Sequence, residues 1–364
     1  MKIAIIVYRF PPKWLGGTEI ATYNMAKYLS KNNDVTIITS LDEHLPNENF
    51  VDGFNIYRIP LLRWRFIENI FFLYHLVLIL NKINPDIIHI QDIKMGIYGI
   101  FTKIILRKPF IVWGQGSDIY TQWQFKYLIS KYVLKNSDKI IALTKDMCIE
   151  IKKLYDKQVF IIPNGIEIKR FKYLSKENSR KIIGLLPDKY IITFVGTLRP
   201  IKGVKYLMYS IKIIKDLKID FKVLIIGDGQ DRTKLELLAK KLDITDFVEF
   251  IGRISNDNIN TYMAASDVFV LPSLSEGFPV VILEAMASGL PIITTNVKGL
   301  PEIVKNYENG FTVEPKDPQK LANRILLLME NNKLSNKISG NNKQKAIEYD
   351  WAKVTQLLEN IYQI

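Results

Sequence analysis

Short apolar, β-rich runs alternate with helical stretches along the chain, and they do so in two successive rounds; no other feature limits the fold as much. The first run, KIAIIVY from Lys2 to Tyr8, ends in a loop rich in proline and glycine, and a helical pattern follows from Thr18 to Leu29. DVTIITS (Asp34 to Ser40), DIIHI (Asp86 to Ile90), FIVWG (Phe110 to Gly114), KIIALT (Lys139 to Thr144) and VFIIPNG (Val159 to Gly165) repeat the strand signal, separated by helical stretches. Strands that alternate with helices build a parallel sheet covered on both faces. A polar, Lys-rich segment from Glu167 to Lys189 interrupts the pattern. It restarts with YIITFVG (Tyr190 to Gly196), FKVLIIG (Phe221 to Gly227), VEFIG (Val248 to Gly252), VFVLP (Val268 to Pro272), PIITT (Pro291 to Thr295) and GFTVE (Gly310 to Glu314). The fold class expected is α/β, with two doubly wound, Rossmann-like domains over 1–166 and 167–345. A chain of 364 residues outgrows a single core, which agrees with this division.

Composition removes several function classes. Cys148 is the only cysteine, so an intrachain disulfide and a thiolate metal cluster are both excluded. No apolar leader precedes the first strand, and a reducing, cytoplasmic setting is expected. His44, His75 and His89 have no metal-ligand spacing and there is no Asp-x-Asp, so no metal is expected. The net charge of +13 divides almost evenly at Gly165, unlike a nucleic-acid module that concentrates its charge on one element. Phe66 to Leu80 is too short for a bilayer span and is broken by Glu68, Asn69 and His75. Arg63, Trp64 and Arg65 precede it, and Lys94 to Lys135 carries seven basic residues against Asp118 alone. That mixture suits either an anionic membrane surface, such as the inner face of the cell membrane, or ordinary solvated helices.

In doubly wound sheets ligands bind beyond the carboxyl ends of the strands, and the distinctive loops here lie there. PSLSEGFPVVILEAMASGLP, from Pro272 to Pro291, begins just past a strand. Glu276 lies in its loop, Pro279 and Val280 suit the start of a helix, and Glu284 follows on that helix. A helix N-terminus flanked by two carboxylates can seat a diphosphate and accept from sugar or ribose hydroxyls; two surface glutamates are the plainer reading. FVGTLRPIKG (Phe194 to Gly203) offers Gly196, Thr197, Arg199 and Lys202 after another strand, and IGDGQ places Gly227 in a tight turn. Gly16 and Gly17 follow the first strand, and GQGSDIY places Gln115 and Asp118 after FIVWG.

Together these segments resemble glycosyltransferase family 4, retaining enzymes whose hallmark is a pair of glutamates with seven residues between them in an EGF-containing loop. The match is Glu276, Gly277, Phe278 and Glu284, followed by Ala285, Met286, Ala287, Gly289 and Pro291. The resemblance implies the GT-B fold, with an acceptor domain and a nucleotide-sugar domain facing across a cleft. Tyr349, Asp350 and Trp351 resemble the family's ending, which implies a last helix over 346–364 that returns to the N-terminal domain, with Trp351 as a packing anchor. It further implies that Glu276 contacts the donor sugar and Glu284 the ribose, that Gly277 and Phe278 present backbone to the sugar, and that Lys202 neutralises the diphosphate. Arg199 stands in for a more usual arginine at Thr197, and the backbone of Arg253 in FIGRI lies by the base. Gln115 occupies a position where the family often has histidine, so acid or base chemistry is lost there while hydrogen bonding to hydroxyls is kept, and Asp118 matches the family; the resemblance thus implies Glu276, Lys202, Arg199, Gln115 and Asp118 as the catalytic set.

The activity implied is hexosyl transfer with retention, without a cofactor, from a UDP- or GDP-sugar to a hydroxyl of a lipid-linked or growing glycan. The alternatives are a non-catalytic GT-B binding protein and a sugar-nucleotide epimerase on the same fold.

Overall fold

The computed structural model describes residues 1–42, 44–61, 65–120, 124–171 and 174–363. They form two compact units, Met1–Gly165 with the chain from Trp351 onward, and Ile166–Asp350.

The first unit opens with β1 (Lys2–Ile6), α1 (Gly17–Leu29), β2 (Asp34–Ser40), β3 (Glu48–Val51), β4 (Phe54–Ile59) and α2 (Arg65–Ile83). It continues through β5 (Ile87–Gln91), α3 (Gly96–Leu106), β6 (Phe110–Trp113), α4 (Ser117–Tyr120), α5 (Gln124–Asn136), β7 (Lys139–Ala142), α6 (Lys145–Leu154) and β8 (Val159–Ile161). The strands lie in the order β3-β4-β2-β1-β5-β6-β7-β8. Ile5 of β1 sits in register with Ile37 on one side and His89 on the other. β5 and β6 are buried at every position; strands covered on both faces need no polar alternation, which is why they read as plain apolar runs.

One edge departs from the all-parallel expectation. β3 is antiparallel to β4, closed by Asp52 and Gly53 at φ 47° and 91°. Two consecutive positive φ angles give the turn whose twist matches a hairpin. Parallel crossovers are right-handed, so α1, which steps from β1 to β2, lies on one face, while α2, α3, α5 and α6, which step the other way, lie on the opposite face.

The second unit contains α7 (Lys176–Ile182), β9 (Tyr190–Val195), α8 (Val204–Lys215), β10 (Phe221–Ile226), α9 (Arg232–Lys241), β11 (Val248–Gly252) and α10 (Asn256–Ala265). β12 (Val268–Leu271), α11 (Val280–Ala287), β13 (Ile292–Thr295), α12 (Leu300–Ile303), β14 (Gly310–Val313), α13 (Pro318–Glu330) and α14 (Asn332–Ala346) complete it. Its sheet has the order β11-β10-β9-β12-β13-β14, with every pairing parallel.

The last helix, α15 (Trp351–Tyr362), packs beside α1 in the first unit. Trp351 is fully buried, and a Cβ on Gly165 would lie 2.5 Å from its indole, so only glycine lets the backbone lie against that ring. Tyr362 shares a 2.7 Å hydrogen bond with His89 Nδ1, and Lys139 donates to the Ile361 carbonyl at 2.7 Å. Burial pushes the His89 imidazolium pKa down to about 3, so the ring is neutral in the core.

Candidate functional site

The strand order of the second unit reverses between β9 and β12, and at such a switch point the loops leaving the two strands part and open a crevice. The loop after β9 is stitched to its neighbours along its length. Gly196 N donates to the Ile226 carbonyl at 3.0 Å, and Leu198 exchanges hydrogen bonds with Asp228 and Asp231. Gly227, at φ 128°, lies so close that a Cβ would fall 2.0 Å from the Gly196 oxygen. The chain then makes a 3-10 turn over Pro200–Lys202 and reverses at Gly203, φ 65°, whose missing Cβ leaves room for the Pro272 carbonyl.

These constraints deliver Lys202 to the loop after β12. Leu274 N donates to the Ile201 carbonyl at 2.7 Å, and Lys202 Nζ meets Glu276 Oε1 at 2.6 Å. Ser273, fully buried, donates to the same oxygen at 2.6 Å, while Thr295 donates to the Ser273 carbonyl. The side chains of Lys202 and Glu276 are 21% and 10% exposed. This is a charge pair held largely out of water, and so a stronger local field than a surface pair provides.

Three residues beyond Glu276, α11 begins after Pro279 with no side-chain cap, as α8 does after Gly203. Helices α6 and α13, by contrast, are capped by the side chains of Thr144 and Asp317. Tyr206 N and Ile282 N already donate to the Gly203 and Pro279 carbonyls at 2.9 and 3.0 Å, which leaves the N–H groups of Val204 and Lys205 on α8 and of Val280 and Val281 on α11 to meet an anion. Gly277 is half-buried, and Phe278 is buried against Tyr349, with ring centroids 6.2 Å apart. Glu284 is half-buried on α11; burial raises its carboxyl to about 7, and the Arg170 guanidinium offsets only part of that rise. Arg253 is exposed just after Gly252, whose carbonyl accepts from Gly227 N at 2.8 Å. Arg199 and Thr197 are exposed, and Arg199 makes no ion pair among the described residues. Of the residues expected in the donor site, Lys202 and Glu276 touch directly; Gly196, Thr197, Gly227 and Arg253 ring the neighbouring strand ends.

In the first unit the order reverses between β1 and β5. Gly16 and Gly17 are exposed at the start of α1, where Ile20 N donates to the Gly16 carbonyl. Gln115 Nε2 donates to Gln91 Oε1 at 2.5 Å, so its amide is fixed by a strand residue. Asp118 is fully buried and accepts from the backbone N–H groups of Ile93, Gln115 and Gly116 at 3.0, 3.0 and 2.8 Å. Sequence reasoning placed it among the reacting groups; the geometry makes it the clamp of the loops after β5 and β6, a carboxylate without free reach. Burial raises its pKa, and those backbone donors oppose the rise.

Asp92 was missed. It follows β5 at φ 132°, accepts from Lys94 N at 2.6 Å and has its carboxyl raised to about 7, first by burial and then by Asp118. Its only sequence signal was its place directly after the strand run.

Among the described residues no three His, Cys, Asp or Glu side chains converge as a metal site, and no helix is long and apolar enough to cross a membrane. Residues 175–345 match the family model "Glycosyl transferases group 1" and residues 15–170 match "Glycosyltransferase Family 4". An uncharacterized glycosyltransferase of Methanocaldococcus jannaschii is 30% identical over the whole of this chain and 98% of its own. A UDP-Gal:alpha-D-GlcNAc-diphosphoundecaprenol alpha-1,3-galactosyltransferase of Escherichia coli is 29% identical over 78% of this chain and 76% of its own. The Anabaena protein HepE, solved in complex with UDP-glucose, superposes with a TM-score of 0.84 over the whole of both chains at 21% identity, which establishes a common GT-B fold. Two family models that between them span both units, and a relative alike from end to end, show that this chain belongs to the group 1 glycosyltransferases.

Proposed function

We propose that this protein transfers a hexose, with retention of anomeric configuration, from a nucleoside diphosphate sugar to a hydroxyl of a growing or lipid-linked glycan. The observation that carries the reading is the Lys202–Glu276 pair at the switch point of the second unit, next to the uncapped start of α11. The nucleotide sugars named for the Escherichia coli and Anabaena relatives support the choice of donor, and the diphosphoundecaprenol of the former supports a lipid-linked acceptor.

In this reading the donor diphosphate takes Lys202 from Glu276. The ammonium and the first-turn N–H groups of α11 then stabilise the charge that grows on the departing nucleoside diphosphate. Arg199 is a second cation for the same phosphates. Released from Lys202, Glu276 accepts from hydroxyls of the sugar, while the backbone of Gly277, Phe278, Pro279 and Val280 lines it. Glu284 accepts from the ribose. Gly196, Thr197 and Gly227 let backbone approach the phosphates, and Arg253 meets the base. In the first unit Gly16, Gly17 and the Gln115 amide face the acceptor, with Asp118 positioning Gln115. Retention proceeds on one face of the sugar, the donor phosphate oxygen taking the acceptor proton, so no carboxylate nucleophile, metal or cofactor is required.

A screen of UDP- and GDP-sugars by thermal shift identifies the donor, and NMR of the product reads its anomer. Glu276→Ala is expected to stay folded and lose transfer. Full activity in that variant, or an inverted anomer from the wild type, refutes the assignment.

A further inference from the structure

Three helices on one face of the first unit turn apolar side chains outward. α2 exposes Ile67, Ile70, Tyr74 and Leu78, whose spacings of three and four place them on a single stripe. α3 packs beside α2 and exposes Phe101, Ile104 and Ile105; α5 packs beside α3 and exposes Leu128 and Tyr132. The outward face of a surface helix is ordinarily polar, yet Ile70 is 71% exposed, Ile104 69% and Leu128 63%.

Basic residues outnumber acids around these stripes: Arg107, Lys131 and Lys135 are exposed, while Lys103 is paired with Asp138 and Lys82 with Glu48. Lys94 to Lys135 holds seven basic residues, and its one acid, Asp118, is fully buried in backbone hydrogen bonds. The only carboxylate on α2, α3 and α5 is Glu68, which accepts from Tyr8 at 2.8 Å. Where α2 and α3 begin, at the carboxyl ends of β1 and β5, there is a cavity of about 600 Å3. Ile70 and Phe101 belong both to its wall and to the stripes, and Tyr8, Glu68, Asn69, Lys94 and Tyr98 add polar groups. Interfaces with proteins are depleted in lysine, whereas apolar and aromatic side chains among lysines suit an anionic headgroup layer.

We propose that the α2–α3–α5 face of the first unit docks on an anionic lipid bilayer, its stripes entering the headgroup region and the cavity meeting the lipid. Arg63 and Trp64, which also pointed this way in the sequence, lie outside the described residues. An acceptor carried on a hydrocarbon chain then reaches the cavity without leaving the bilayer. That consequence rests on the transfer reading; the docking does not.

The test is co-sedimentation of the full chain, without donor, with vesicles of phosphatidylcholine alone and of phosphatidylcholine mixed with phosphatidylglycerol. The wild type is expected to bind only the mixed vesicles. Lys131→Ala with Lys135→Ala should bind roughly thirtyfold more weakly, and Ile104→Glu, at an exposed position that leaves folding intact, should also weaken binding. Lys240→Ala with Lys241→Ala on α9, an equal loss of charge in the other unit, should leave binding unchanged. Three results overturn the proposal. One is no binding by the wild type. Another is equal losses from both lysine pairs. The third is self-association in free solution that Ile104→Glu abolishes, which gives the face to a second copy of the chain. Each is read without sugar transfer, so a failure here is distinct from a failure of the catalytic reading.

Discussion

Replacing Glu284 with glutamine tests the electrostatics of the donor crevice without assuming a donor. In the folded chain burial holds this carboxyl at about 7, against an ordinary 4.5. Below pH 4.5 it is protonated in both folded and unfolded chains and costs nothing. As pH climbs toward 7 the unfolded chain sheds the proton first, so stability falls, and above 7 the folded chain carries the whole penalty of an ionised, desolvated group, roughly 3 kcal/mol. Glutamine keeps the shape and cannot ionise. Glu284→Gln should therefore melt within a degree or two of wild type near pH 5 but higher near pH 8.5. For a unit of this size, roughly 3 kcal/mol corresponds to about 6 to 12 °C. With the nucleotide sugar present the order should tighten or reverse, because the variant loses the acceptor proposed for the ribose hydroxyls. A gain of the same size at both pH values, or none at either, shows that burial of this carboxylate does not set the local field, and the argument from the crevice fails with it.

Lys202→Met should reduce transfer at least a hundredfold by removing a cation aimed at developing charge, and lower stability by only ~1–2 kcal/mol since Ser273 still satisfies Glu276; progress curves and melting read the two separately. Gly203→Ala must fit a methyl 2.0 Å from the Pro272 carbonyl at φ 65°, so donor-induced thermal stabilisation should be lost even where the protein survives, and an unchanged donor response refutes the role of this approach. Asp118→Ala strands the backbone N–H donors of Ile93 and Gly116, both buried, at about 1–3 kcal/mol each, and leaves the half-buried Gln115 N–H without its acceptor, so denaturant melts should show the first unit severely weakened.

How much was legible in advance follows from covering. The strands of both sheets read clearly because helices bury both of their faces, leaving continuous runs such as IIHI at Ile87 to Ile90. The β3–β4 hairpin did not, because β3 is short and alternates at an exposed edge; its signal was the Asp52–Gly53 dipeptide. Loop motifs were found since they follow strands, but the pairing of Lys202 with Glu276 joins positions 74 apart in sequence, which local spacing cannot disclose. Asp118 stood out as a residue, but its burial among backbone donors from the loops after β5 and β6 joins segments about 25 positions apart and shows only in the fold. The segments that form α2, α3 and α5 stayed open between a membrane surface and solvated helices, because composition does not say which side chains a neighbouring element covers.

The return of α15 to the first unit also has a consequence for how the chain is made. The second unit is, in effect, a guest spliced into its host near the host's end. On the ribosome the host's first 165 residues emerge early, yet the groove against α1 stays unfilled until every residue of the guest has been synthesised. A nascent chain released before Trp351 would bear a finished second unit and an unfinished first one, with bare apolar surface at Gly165 and His89 that a chaperone must shield.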